Sequence, residues 1–299
     1  MIKRICFLIV VGLMVNISVR ACDACGCGAA AGGIGIGAAY DNNFVGIGWQ
    51  LASFRSTHDN RAATIDNFHT LQVSARYHIT DRFKLLAFLP YSYNERFTHV
   101  DSSFMSGLSD VRVLGSYTIF GNREVGDNST IFLEVGAGMK LPTGRYDANI
   151  HDSNLPENFN LGNGSFGYIF QPNFVWKYKK NGLVFNGNYT YNQSSESGYH
   201  FGSQISSQIL LFREFSLTSS LKLIPNIGTQ YERIGVDTYN NGNSVHGTGG
   251  EGIFGAGGLT VRYKSLRASF TYSEPLQEDY SQGEVEAQRR LSAQLTFNF

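Results

Sequence analysis

Long apolar runs are missing from this 299-residue chain. After residue 21 nothing approaches the roughly 18 uninterrupted apolar residues that a membrane-crossing helix needs, so a helical anchor is excluded there. Charge is scarce too. Only 16% of residues are charged, and 24 basic residues balance 24 acidic ones. A net charge of zero removes the electrostatic case for nucleic acid as a partner. Cysteine is confined to four residues, Cys6 and the three of CDACGCG (Cys22, Cys25 and Cys27), so the remainder of the chain has no thiol chemistry. Helical periodicity is also absent, and no linker marks a second domain.

What is present is alternation. In GLSDVRVLGSYTIF, Val111, Val113, Tyr117 and Ile119 share one parity, and Asp110, Arg112, Ser116 and Thr118 share the other. In STIFLEVGAGMKLPTG, Ile131, Leu133, Val135, Ala137, Met139 and Leu141 oppose Thr130, Glu134, Gly136, Gly138 and Lys140. A period of two marks strands with one apolar and one polar face. Their length, beyond the usual five or six or so residues of a soluble strand, suits tilted membrane strands of about nine to eleven residues with projecting ends.

Residues 1–21 read as an export signal: Lys3 and Arg4, the apolar core ICFLIVVGLMV, and a small-residue cleavage site at Val19-x-Ala21. Residues 22–42 form a Cys/Gly-rich segment, and 43–299 a barrel. Twelve strands are expected, at 43–55, 67–80, 82–97, 107–120, 129–142, 164–179, 182–195, 199–213, 214–232, 251–263, 265–275 and 287–299. An even number fits a bacterial barrel, as do short turns alternating with long loops, the short side being periplasmic. Aromatics of the apolar parity stand near both strand ends, Tyr77, Phe83, Tyr117, Trp176 and Phe297 at one and Tyr91, Tyr93, Tyr189 and Tyr272 at the other. Such girdles suit the two headgroup layers of a bilayer. The expected fold is therefore an all-β, transmembrane, antiparallel up-and-down barrel of about twelve strands, surrounded by outer-membrane lipids.

Chemistry is sparse. Gly33-x-Gly35-x-x-Ala38 matches a dinucleotide fingerprint formally, but no strand precedes it and no helix follows. Asp59, Asp152 and Asp237 fall in loops with His58, His151 and His246, yet no nucleophile with a positioned base is identifiable, so an enzyme is not expected. Cys22, Cys25 and Cys27 have three competing readings: a soft-metal thiolate site for Cu(I) or Zn(II), a disulfide with a spare thiol, or lipidation at Cys22. Asp110, Arg112, Glu134 and Lys140 lie on the lumen-facing parity of one hairpin. They either satisfy one another or form a constriction that selects a small solute.

Two resemblances sharpen this. RRLSAQLTFNF, with alternating apolar residues before a terminal Phe299, resembles the signal by which outer-membrane proteins engage the barrel-assembly machinery. GLSDVRVLGSYTIF followed by FLEVGAGMKLPTG resembles the signature of the MetA-pathway phenol-degradation, or transporter-like, outer-membrane barrel family, with Ser109 as a mild departure. The Cys-rich start followed by NFVGIGW is similar to transporter-like barrels of Bacteroidetes-type bacteria. These resemblances imply a barrel that takes up small, often apolar, molecules.

Overall fold

The computed structural model describes residues 42–57, 63–153 and 155–299. The export signal, the cysteines and nearly all of the 22–42 segment lie outside these. The wall strands are β1 (Phe44–Ser56), β2 (Thr64–His78), β3 (Phe83–Phe97), β5 (Arg112–Gly126), β6 (Ser129–Lys140), β7 (Gly167–Tyr178), β8 (Asn181–Asn192), β10 (Gln204–Arg213), β12 (Leu221–Ile234), β14 (Gly250–Tyr263), β15 (Leu266–Tyr280) and β16 (Val285–Asn298). Each pairs antiparallel with its neighbours in chain order, and β16 pairs with β1 from Phe44↔Asn298 to Ser56↔Val285. The sheet closes on itself, so no wall edge is left unpaired. The four short strands are β4 (Ser102–Leu108), which extends the fourth wall strand, β9 (Tyr199–His200) paired with β13 (Thr238–Tyr239) outside the wall, and β11 (Phe215–Ser216) folded against β12.

The outer face is apolar and exposed, with Val45, Ile47, Leu71, Val73, Leu85 and Leu89 between two belts of rings. Tyr77, Phe83, Tyr117, Trp176, Tyr178, Tyr263 and Phe297 stand at the short-turn end, and Tyr91, Tyr93, Tyr189, Tyr191 and Tyr272 towards the other. An apolar band of this extent is stable only in lipid.

Several boundaries differ from expectation. The fourth wall strand is split: β4 pairs with the upper part of β3, β5 pairs with the lower part, and residues 109–111 bow out of the ladder. Pro90 lies opposite this break, where it has no N–H to give a ladder. β5 runs on past the expected end at residue 120 to a turn at Gly126–Ser129. Three register irregularities between Thr118 and Gly126 absorb the difference, so Arg112 still lies opposite Lys140. β15 runs on to Tyr280, through residues expected to be loop.

Side chains and a loop fill much of the lumen. One apolar cluster (Leu86, Leu114, Phe132, Val184, Leu210 and Ile224 among others) occupies the half nearer the short turns. A second, of Phe54, Phe68, Phe254, Tyr280 and Val285, lies at the long-loop mouth. The 141–166 connection, expected to be an external polar loop, dips inward and adds Ile150, Leu155 and Phe159 to this second cluster. Phe159 is fully buried, with its ring edge-on to Phe68 at 5.9 Å.

Candidate functional site

The 109–111 break sets the site. Released from the ladder, Asp110 turns inward and is buried. One carboxylate oxygen accepts the Gly144 N–H at 3.0 Å. The other accepts the Asn163 N–H at 3.0 Å and lies 3.3 Å from Lys140 Nζ. Thr143 Oγ1 accepts the Val111 N–H at 2.9 Å and donates to the Ser109 carbonyl at 3.0 Å. Asp110, Lys140, Thr143 and Gly144 therefore clamp both legs of the inward loop to the wall. The glycines follow from this crossing: a Cβ on Gly144 would meet the Leu161 carbonyl oxygen at 2.7 Å and Gly162 Cα at 2.8 Å. Asn94 adds a third tether, its Nδ2 donating to the Phe159 carbonyl at 3.0 Å.

The four lumen residues expected from the hairpin thus divide. Asp110 and Lys140 meet each other. Glu134 meets Lys84 of β3 instead, with Nζ 2.6 Å from the carboxylate and both side chains fully buried. Arg112 donates to Gln72 Oε1 and sits with its guanidinium carbon 5.0 Å from the Phe88 ring centre. Removing one member of a buried pair such as Lys84–Glu134 costs about 3–5 kcal/mol, since it strands the other charge away from water.

Sequence reasoning missed Lys84 because β3 is apolar on both faces over KLLAFLPY, so parity did not single it out. It also missed two mouth pairs: Arg96 grips Asp66 at 2.7 and 2.6 Å, and Arg290 grips Glu232 at 2.7 Å while lying 3.7 Å from the Phe254 ring centre. In both pairs inward parity was available: Asp66 lies directly opposite Arg96 in the β2–β3 hairpin and could have been read there, whereas Glu232 and Arg290 come from strands that are not consecutive in the chain.

Two cavities flank this region. One of about 130 Å³ is lined largely by carboxamides and hydroxyls, including Gln50, Gln72, Gln171, Asn188, Gln208 and Gln230. The other, of about 120 Å³, lies under the loop and is lined by Asp110, Arg112, Lys140, Asn158 and Asn160. Gln72 belongs to the first and Arg112 to the second, so their hydrogen bond stands on the partition between them. A single water needs about 10–15 Å³ by this measure, so each cavity has room for several waters or a small solute.

In the loop, Glu157 is buried and bonded by Asn160 Nδ2 at 3.1 Å, with His151 Nε2 at 3.6 Å. Burial raises its carboxyl to about 7; the Asn160 bond works against this, and the nearby Asp237 and Asp147 add to it. Asp237, between β12 and β14, accepts from Tyr199 Oη at 2.7 Å and from the Gly202 N–H at 2.6 Å, and its carboxyl is also raised, chiefly by burial. Among the described residues, no group of three or more His, Cys, Asp or Glu is placed to hold a metal.

The chain matches the crystal structure of an outer-membrane channel from Pseudomonas putida F1 with a TM-score of 0.63 at 14% identity, over 86% of this chain and 96% of that one. The fold is that of an outer-membrane barrel. The β domain of the Bordetella autotransporter BrkA (10% identity, 87% and 100% covered, TM-score 0.47) and LpxR from Salmonella typhimurium (9%, 84% and 100%, 0.42) also match, too distantly to carry an argument. No protein-family model matches the chain, and no curated protein matches it in sequence.

Proposed function

We propose that this outer-membrane barrel is a narrow channel for a small polar solute, with the 141–166 loop as its extracellular constriction. The observation that carries this is the pair of cavities, each with polar side chains in its lining, on either side of the Arg112–Gln72 contact, beneath a loop clamped by Asp110 and Lys140. An inert structural barrel would gain more from filling this volume with apolar side chains, because cavities and buried polar groups both cost stability. The fold shared with a channel points the same way, and the resemblance to transporter-like barrels supports passage of a small molecule, although it implies solutes that are often apolar. Arg112 is the residue a passing solute meets at the partition; Asp110 and Lys140 act by holding the loop, and Glu134 by neutralising Lys84. The Cys22, Cys25 and Cys27 thiolates, as a Cu(I) or Zn(II) site, would serve the periplasmic side independently of the pore.

The test is conduction. Refolded protein in planar bilayers should show discrete low-conductance openings. Replacing Asp110 by Asn together with Lys140 by Met should raise conductance or alter selectivity, with heat-modifiable gel mobility kept as the sign of a folded barrel. A parent without current or solute flux would leave a structural role. A folded double variant with unchanged current would remove these two residues from the passage.

A further inference from the structure

The cavity of about 130 Å³ is walled mainly by uncharged polar side chains. Along β12 the inward positions run from Ile224 of one apolar cluster, through Asn226 and Gln230 at the cavity, to Ile234 of the other cluster. Gly48 opens the wall there: in the ladder it stands between Gln72 and Gln294, both in the lining, and brings no side chain of its own. The lining's two charged residues, Glu232 and Arg290, grip each other at 2.7 Å. Three buried carbonyl oxygens of lining residues, Gln50 Oε1, Asn186 Oδ1 and Asn226 Oδ1, have no hydrogen-bond partner within the protein, and neither has the buried Arg290 Nε. The Asn186 amide is fixed by donation from its Nδ2 to Asn173 Oδ1 at 2.9 Å, which leaves its oxygen as the spare group. Buried acceptors nearly always have partners, because each one left unmet costs stability. Three around one cavity are acceptors held for a donor from outside the chain.

We propose that this cavity is a binding site for a small uncharged polyol. The proposal deepens the channel reading by naming its solute, and rests on that reading for passage but not for binding. A hydroxyl both donates and accepts, so one polyol can give protons to the three carbonyl oxygens and accept the Arg290 N–H. Its hydroxyls also reproduce the bonds of any water they displace, which an apolar solute does not. An ion would surrender its hydration to a wall whose one carboxylate and one guanidinium already neutralise each other, and amide dipoles repay less than a full charge. At about 130 Å³ the cavity holds on the order of ten water-sized groups, which suits solutes from glycerol to a pentitol. The way in is from the long-loop side, through the cavity under the loop and past Arg112 and Gln72, without crossing the apolar cluster around Leu86 and Phe132.

Saturation-transfer NMR on the refolded chain tests the site, in a detergent without a sugar headgroup so that the detergent does not compete. Ribitol should bind. Arabinonate, of the same carbon count but with a carboxylate, and dimethoxyethane, uncharged but without a donor, should each bind at least about fivefold more weakly. Gln50→Met with Asn226→Leu removes two acceptors at nearly constant volume and should weaken ribitol at least about fivefold. Because no protein group loses a partner, this double variant should melt no lower than the parent. In liposome swelling the parent should admit ribitol faster than arabinonate, and the double variant should lose that advantage. Ribitol bound no better than the other two solutes, or a folded double variant with the parent's ribitol signal, overturns the inference while a conducting barrel stands. Ribitol binding without swelling keeps the site and removes the channel. If the double variant does not fold, the two acceptors serve the structure, and the parent's ranking of the three solutes decides alone.

Discussion

Glu157 is the residue whose chemistry depends most on where the loop sits. Its carboxyl rises to about 7 when buried and returns to an ordinary carboxylate value, near 4.5, when the loop leaves the mouth. The seated loop is therefore fully favoured below the lower value. It loses ground as pH rises towards 7, by up to about tenfold in equilibrium for each pH unit, and levels off above 7. Channel current should accordingly rise between pH 5 and about 7 and then plateau. Glu157→Gln should flatten that profile and hold current at its acidic level. Single-channel recording across this window checks it, and a rise in current on acidification would refute the assignment.

At the scale of the element, the loop and the broken fourth wall strand act as one unit. The break frees Asp110 from strand duty, and Asp110 in turn holds the Gly144 and Asn163 amides. At the loop's inner end Phe159 packs on Phe68 with the Arg96 guanidinium carbon 5.9 Å from its ring centre, and in the proposed channel it is the plug. Truncating a buried Phe to Ala typically costs about 3–5 kcal/mol. Here the cost should fall on the seating of the loop, since the twelve-strand ladder does not depend on it. Phe159→Ala should raise conductance several-fold and expose Arg145 to trypsin, with heat-modifiable mobility unchanged. A folded variant that conducts like the parent would show that the plug lies elsewhere.

At the scale of the molecule, closure of β16 on β1 brings both ends of the described wall to the short-turn side. The Arg76 Nε donates to the Asn42 carbonyl at 2.8 Å, and the Phe299 N–H to the Asn43 carbonyl at 3.1 Å. The segment carrying Cys22, Cys25 and Cys27 therefore joins the wall at the short-turn end, through Asn42. If those thiolates hold Cu(I) or Zn(II), elemental analysis of refolded mature protein should find about one metal ion per chain, lost when the three cysteines are replaced by serine. One free thiol with no metal would establish a disulfide, and a diacylglyceryl mass on Cys22 a lipoprotein.

The barrel itself was legible in the sequence because its causes are local. Side chains alternate with a period of two, turns are short at one end, and Tyr117 or Tyr189 must stand at a headgroup layer; each can be read without knowing which strand lies where. The meeting of Asp110 with Lys140 was legible for the same reason, being internal to one hairpin. What only the tertiary structure decided depends on stagger between strands and on the path of a loop. Lys84 reaches Glu134 across an intervening strand, Lys222, Arg262 and Arg267 become neighbours through the ladder, and Phe159 enters the mouth because Asp110, Asn94 and Phe68 converge there. Such meetings join residues far apart in the chain, and alternation states only that each points inward, not what it will find.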